Sequence, residues 1–274
     1  VLPISEATGK EVPGLFDNSN IPLPPEISEW YNYDMVGYNG KVCFIQRTTV
    51  YTQDRYPYAN KIFAYDPSDR KWETIIIPVE KLTSDGQTPI SSIADATACV
   101  KDGKLILLIT GLNSSGTGAY QCLAALDQDG NFEQLGSGSA ITEVPVFSTL
   151  ASDSENLYLI GGNGKYIDEK GDIALGISNA VYQLTYDNDK HLKAEQKAKF
   201  NQPRLFARVT YADNAFIISG GSNIHICAGG IEKAVIGQPA EIIDVSPKIK
   251  KDARLSYSSG VLADGTVILT GPVS

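Results

Sequence analysis

The chain has 274 residues, 42% hydrophobic and 20% charged, which is enough apolar material for one large all-β domain or two ordinary domains. Its formal net charge of -9 excludes the strongly basic surface that nucleic acid or an anionic membrane would select. No apolar run is long enough to cross a bilayer as a helix.

Residues 1–29 read as an N-terminal connector or a ring-closing strand, with an extended Ile21-Pro22-Leu23-Pro24-Pro25 and a turn over Glu6–Lys10. Val1 is preceded by no Met and carries no signal-peptide pattern, so the expected product is a mature or excised portion of something longer. From Trp30 the chain becomes regular. Tyr33–Tyr38 and Lys41–Ile45 flank Asn39-Gly40, a strong hairpin signal. A Tyr-rich loop over Thr48–Asn60 leads to a strand at Lys61–Tyr65, a turn at Asp66-Pro67-Ser68-Asp69, and a return through Lys71–Ile75. The second unit repeats this order: Ala96–Val100, Lys104–Thr110, a Gly/Ser loop, Tyr120–Leu126 and Phe132–Leu135. The third has Phe147–Ala151, Leu157–Ile160, a long loop over Asn163–Asn179, Ala180–Tyr186 and Leu192–Gln196. In the fourth, Arg208–Ala212 and Ala215–Ser219 precede a loop over Ser222–Gln238, a strand at Ala240–Val245 and a charged stretch to Lys251. The fifth stops after Ser256–Leu262 and Thr266–Thr270. No segment carries helical periodicity over ten residues.

The polar turns Asn39-Gly40, Asp102-Gly103, Glu155-Asn156, Asp213-Asn214 and Asp264-Gly265 mark the register, at spacings of 63, 53, 58 and 51 residues. Such periods belong to propeller blades rather than helical solenoids. A lone four-stranded sheet with two apolar faces cannot bury both, whereas copies stacked around an axis bury them against one another. Each second strand ends where the backbone must bend, and there stand Gly161-Gly162, Gly220-Gly221 and, singly, Gly111. The expected fold is therefore all-β: a propeller of about five blades in a single domain over 1–274. The blades run approximately 30–80, 92–136, 145–197, 202–252 and a partial 254–274, the last completed by Val1–Val12 or left open.

The glycine doublets, the Tyr65-Asp66-Pro67 turn with Trp72 after it, and Pro203-Arg204 seventeen residues before a doublet resemble the Kelch repeat family. The resemblance covers roughly residues 30–274, and no unit carries every element. It implies a β-propeller that serves as a scaffold for binding; a minority of the family act on carbohydrates, such as galactose oxidase and the sialic acid epimerases.

Copper of the galactose oxidase kind needs two His in one pocket. His191 falls in a third-to-fourth strand turn and His225 in a loop after a doublet, at opposite ends of a blade, so neither metal nor cofactor is expected. There is no G-x-S-x-G elbow, and the glycine pairs open no helix to cradle phosphate, so no catalytic residue is assigned. Cys43, Cys99, Cys122 and Cys227 have no C-x-x-C spacing; Cys43, Cys99 and Cys122 lie in apolar runs and read as buried free thiols. The candidate site is geometric. Seven residues before each register mark stand Asn32, Asp95, Ser148, Phe206 and Tyr257, predicted to ring the mouth of the central channel with Arg204, Arg208 and Arg254 nearby. A mixed polar and aromatic ring suits a protein or glycan ligand. Arg204 is also read as a blade-to-blade staple, since a guanidinium fork suits clustered carbonyls. The rival expectation is a carbohydrate-active enzyme resembling a sialic acid epimerase, with Asp95 and one Arg as its acid and base groups. The acidic surface favours an extracellular or bacterial cell-surface setting.

Overall fold

A computed structural model describes residues 24, 33–47, 60–84, 88–113, 118–223, 226–227, 230–243, 258–261 and 267–270. The first sheet contains β1 (Tyr33–Tyr38), β2 (Lys41–Gln46), β3 (Lys61–Asp66) and β4 (Lys71–Ile76) in that order, all antiparallel. The second repeats it with β5 (Ser92–Lys101), β6 (Lys104–Leu112), β7 (Ala119–Leu126) and β8 (Phe132–Ser139). The third begins with β9 (Thr149–Ser152) and β10 (Leu157–Ile160). A hairpin of β11 (Asn163–Ile167) and β12 (Ile173–Ile177) is then inserted before β13 (Ala180–Tyr186) and β14 (Leu192–Lys199) complete the sheet. The fourth has β15 (Arg208–Ala212) and β16 (Ala215–Ser219), a short hairpin of β17 (Ser222–Asn223) and β18 (Ile226–Cys227), then β19 (Ile231–Ala234) and β20 (Glu241–Ile243). A two-stranded sheet of β21 (Ser258–Val261) and β22 (Val267–Thr270) follows. The first strands lie side by side, β1 by β5, β5 by β9, β9 by β15 and β15 by β21, so the sheets radiate from one axis as a β-propeller.

Strand pattern explains the stacking. Along β6 the run Leu105–Gly111 is buried at every position, because odd and even side chains face different neighbours. Leu105, Leu107 and Ile109 pack with Cys43, Ile45 and Ile62 of the first sheet. Ile106 and Leu108 pack with Leu157, Leu159 and Tyr182 of the third. Tyr158 and Ile160, alternating with those, meet Phe216 and Ile218 of the fourth. Each such side chain contributes about 1.5–3 kcal/mol on burial, so the interfaces between sheets hold the ring together.

The glycine doublets bend the chain as their positions require. Gly162 has φ +96° and Gly221 φ +82°, and a Cβ would stand 2.7 Å from the Val146 carbonyl oxygen and 2.6 Å from that of Leu205. These glycines let the second strand turn against the linker that enters the first strand of the same sheet.

Three elements differ from the sequence reading. Asn163–Asn179 is not a loop: Ile173, Leu175 and Ile177 alternate as a strand, but Ile173 and Leu175 point to solvent, with 79% and 66% of their surface exposed. The third strand of the fourth sheet is Ile231–Ala234, inside the expected loop, and Glu241–Ile243 is the fourth strand. Glu232 disguises that strand; its carboxylate is buried because Arg204 neutralises it at 2.7 Å. The third sheet starts at Thr149 instead of Phe147, since Phe147 has left-handed backbone, φ +58°. Among the described residues there are four complete four-stranded sheets, two inserted hairpins and the closing pair β21–β22, against an expected count of about five blades. Val1–Val12 and most of Thr48–Asn60 lie outside the described residues.

Candidate functional site

The start of every first strand and the end of every second strand lie at one end of the propeller, here called the mouth. A buried ionic cluster occupies it. Arg47, which follows β2 directly, has no exposed surface. Its Nε and Nη2 donate to Oδ1 and Oδ2 of Asp95, each at 3.0 Å, as a bidentate fork. Nη1 donates to Asp34 Oδ2 at 3.2 Å, and Nη2 also donates to the Ser148 carbonyl oxygen at 2.7 Å. Asp34 accepts two further bonds, from Thr97 Oγ1 at 2.5 Å and from Arg208 Nη1 at 2.7 Å. Thr97 Oγ1 in turn accepts from the Leu150 backbone N–H at 3.1 Å. Two guanidinium groups and two carboxylates therefore balance, and they belong to the first, second and fourth sheets with the third joined through Ser148 and Leu150.

Local sequence sets this geometry. Asp34 and Arg208 hold matching places on β1 and β15, cross-strand from Ile45 and Ser219. A bulge between Ile93 and Asp95 breaks the β5–β6 register, and bulges re-aim the side chains beside them. Burial alone would lower the Arg47 pKa; the charges and hydrogen bonds of Asp95 and Asp34 outweigh it and raise it above the ordinary arginine value. For Arg208 burial prevails: with Arg47 repelling it and Asp34 only partly compensating, its pKa is lowered.

Over the cluster lie two phenylalanines. Phe147 and Phe206 are half-buried, their rings 5.2 Å apart, and the Arg47 guanidinium carbon stands 5.2 Å from the Phe206 centroid. Both have positive φ, +58° and +53°, a backbone state costly for bulky side chains and found where surroundings impose it. The Phe206 N–H donates to the Phe147 carbonyl, which locks the two bends together. Beside Arg47, the amide of Gln46 is buried with neither Nε2 nor Oε1 hydrogen-bonded.

Of the residues predicted for the mouth, the structure brings Asp95, Ser148, Phe206 and Arg208 together. Asn32, Tyr257 and Arg254 lie outside the described residues. Arg204 is engaged elsewhere: its backbone joins the third sheet at Ser178 and Gly162, while its side chain donates to the Gly220 carbonyl at 2.7 Å and to Glu232 of the fourth. It staples those sheets. Sequence reasoning missed Arg47, Asp34 and Thr97. Thr97 stands two residues beyond Asp95 on the same face of β5, Asp34 holds the matching place on β1, and Arg47 is a charge closing an apolar strand where other units carry glycine.

Cys43, Cys99 and Cys122 are buried free thiols, and burial pushes their pKa values up to about 11, 12 and 12. Among the described residues, only Asp187, Asp189 and His191 gather potential metal ligands, within 4.8 Å of one another. Asp187 is already taken up by the backbone N–H of Asp189 and His191 and by Lys193 at 3.1 Å. His225 lies outside the described residues. No helix among them is long and apolar enough to cross a membrane.

The fold and its mouth define a β-propeller. Comparison with sequence profiles of protein families and with curated proteins finds no match to this chain.

Proposed function

We propose that this chain is a non-catalytic binding propeller of Kelch type, one domain that receives a protein or glycan partner at the mouth. The observation that carries this reading is the charge-balanced cluster around Arg47. Asp95 is held bidentately by a fully buried guanidinium, which stabilises a carboxylate as a carboxylate and suits a rigid platform better than a proton-transferring group. The epimerase-like reading requires the reverse. Phe147 and Phe206, strained into half-exposure over this platform, supply the contact surface, with Arg208 and, by their place in the repeat, Asn32, Tyr257 and Arg254 around them. An extracellular or cell-surface setting agrees with the acidic surface and belongs to the same proposal.

The test is a screen of the immobilised chain against a glycan array and a displayed peptide library, repeated with Phe147→Ala and Phe206→Ala. Ligands retained by the native chain and weakened tenfold or more, about 1.4 kcal/mol, by either variant support the mouth. Equal retention by folded variants removes it.

A further inference from the structure

A second concavity lies between the first and second sheets, at the end opposite the mouth. It has a volume of about 470 Å³, and its floor includes Tyr38, Cys43, Ala64, Ile75, Leu126 and Phe132. The repeat explains why it exists. The cross-strand pair that faces the next sheet is Cys43–Ala64 here, Ile106–Ala125 in the second sheet and Tyr158–Gln183 in the third. The smallest of the three pairs leaves the space between the outer strands unfilled, at a size typical of small-molecule sites.

The charges around it are not equivalent. Lys41 is held by Glu73 at 2.5 Å, and the carboxylate of Asp127 accepts from the side chain of Asn131 at 2.9 Å and from the backbone N–H groups of Asp129 and Asn131. Lys81 and Asp129 also line the cavity, are exposed, and join no ion pair among the described residues. One open cation and one open anion beside an apolar floor complement a ligand that carries both charges and an apolar body.

We propose that this cleft binds a small apolar zwitterion, in chemical class an α-amino acid with an aromatic or branched side chain. The side chain lies against Cys43, Ala64 and Phe132; the carboxylate meets Lys81 and the ammonium meets Asp129. The proposal is independent of the mouth and stands or falls apart from it.

The experiment is titration of the ¹⁵N-labelled chain with phenylalanine, phenethylamine and 3-phenylpropionate, followed by amide shifts around Ala64, Glu73 and Asp129. Saturable shifts with phenylalanine are expected. Each singly charged probe should bind about two- to fivefold more weakly, as loss of one exposed ion pair predicts. Ala64→Leu should abolish the shifts, and the surface variant Lys81→Gln should bring phenylalanine and phenethylamine to equal affinity even if Ala64→Leu does not fold. Absence of saturable shifts in the native chain, equal binding of the three probes, or unchanged discrimination in Lys81→Gln overturns the proposal.

Discussion

The two ends of the sheets solve the same problem, reversing a strand, with opposite physics. At the mouth the chain bends inside the protein, so polar groups are buried and must find one another: Arg47, Asp34, Asp95, Thr97 and Arg208 do so across three sheets. At the far end the chain bends in water, and each turn satisfies itself. Asn39-Gly40 and Asp102-Gly103 adopt paired left-handed φ, as two-residue hairpins need. Asp66, Asp127 and Asp187 each accept backbone N–H bonds from within their own turn. One end is collective and the other local, so substitutions at the mouth should propagate and those at the far end should not.

Arg47→Met tests the collective end hardest. It leaves Asp34 and Asp95 buried with one guanidinium removed, and about 3–5 kcal/mol of stability should be lost, read from the urea midpoint. Arg47→Lys should recover only part of this, because a point charge cannot replace a bidentate fork. A loss under 1 kcal/mol for Arg47→Met would mean the cluster is not a unit.

Two glycines of positive φ, Gly162 at the mouth and Gly103 at the far end, sharpen the contrast. Gly162→Ala combines left-handed strain with a clash against the Val146 carbonyl, for about 3 kcal/mol or more. Gly103→Ala, with nothing within 4 Å of the new Cβ, should cost only the conformational strain, about 1–2 kcal/mol. Equal melting shifts for the two would erase the distinction.

Gln46→Met should act in the opposite direction. Replacing a buried amide that has no hydrogen-bond partner with an apolar chain of similar shape is expected to stabilise by about 1 kcal/mol. Destabilisation instead would show that the amide is bonded in solution.

The smallest effect belongs to Asp127→Asn. The Asn131 side chain, then the backbone N–H groups of Asn131 and Asp129, lower the Asp127 pKa below its ordinary 3.8. A depressed folded pKa gives stability that is full above the unfolded value and is lost as pH falls through the folded one. The variant's melting midpoint should therefore decline less steeply than the native one below about pH 4, and the two should converge as Asp127 is protonated.

The strands were legible because hydrophobic alternation and turn chemistry are local: β10, β13, β15 and β16 begin and end where the sequence placed them. Elements whose pattern depends on a distant partner were not. Ile231–Ala234 contains Glu232 and Lys233 and reads as a strand only once Arg204 is known to lie against the glutamate. The inserted hairpin was missed because its apolar face meets solvent, so no burial logic pointed to it. The mouth was half legible. Counting back from the turns selected Asp95, Ser148 and Phe206, but no count within a repeat reaches Arg47, which does in the first sheet what no other unit does.

The ion cluster also constrains how the protein is made. Asp34 and Arg208 are 174 residues apart, and the contacts that neutralise Asp34 involve three sheets. On a ribosome the first sheet would emerge with a carboxylate that must stay hydrated until the fourth sheet begins to form. Contacts so distant in sequence are slow to close, and they gain strength only when their neighbours have already arrived. Assembly should therefore end in one late concerted step, with partial chains remaining loose and solvent-filled at the mouth end until Arg208 is delivered.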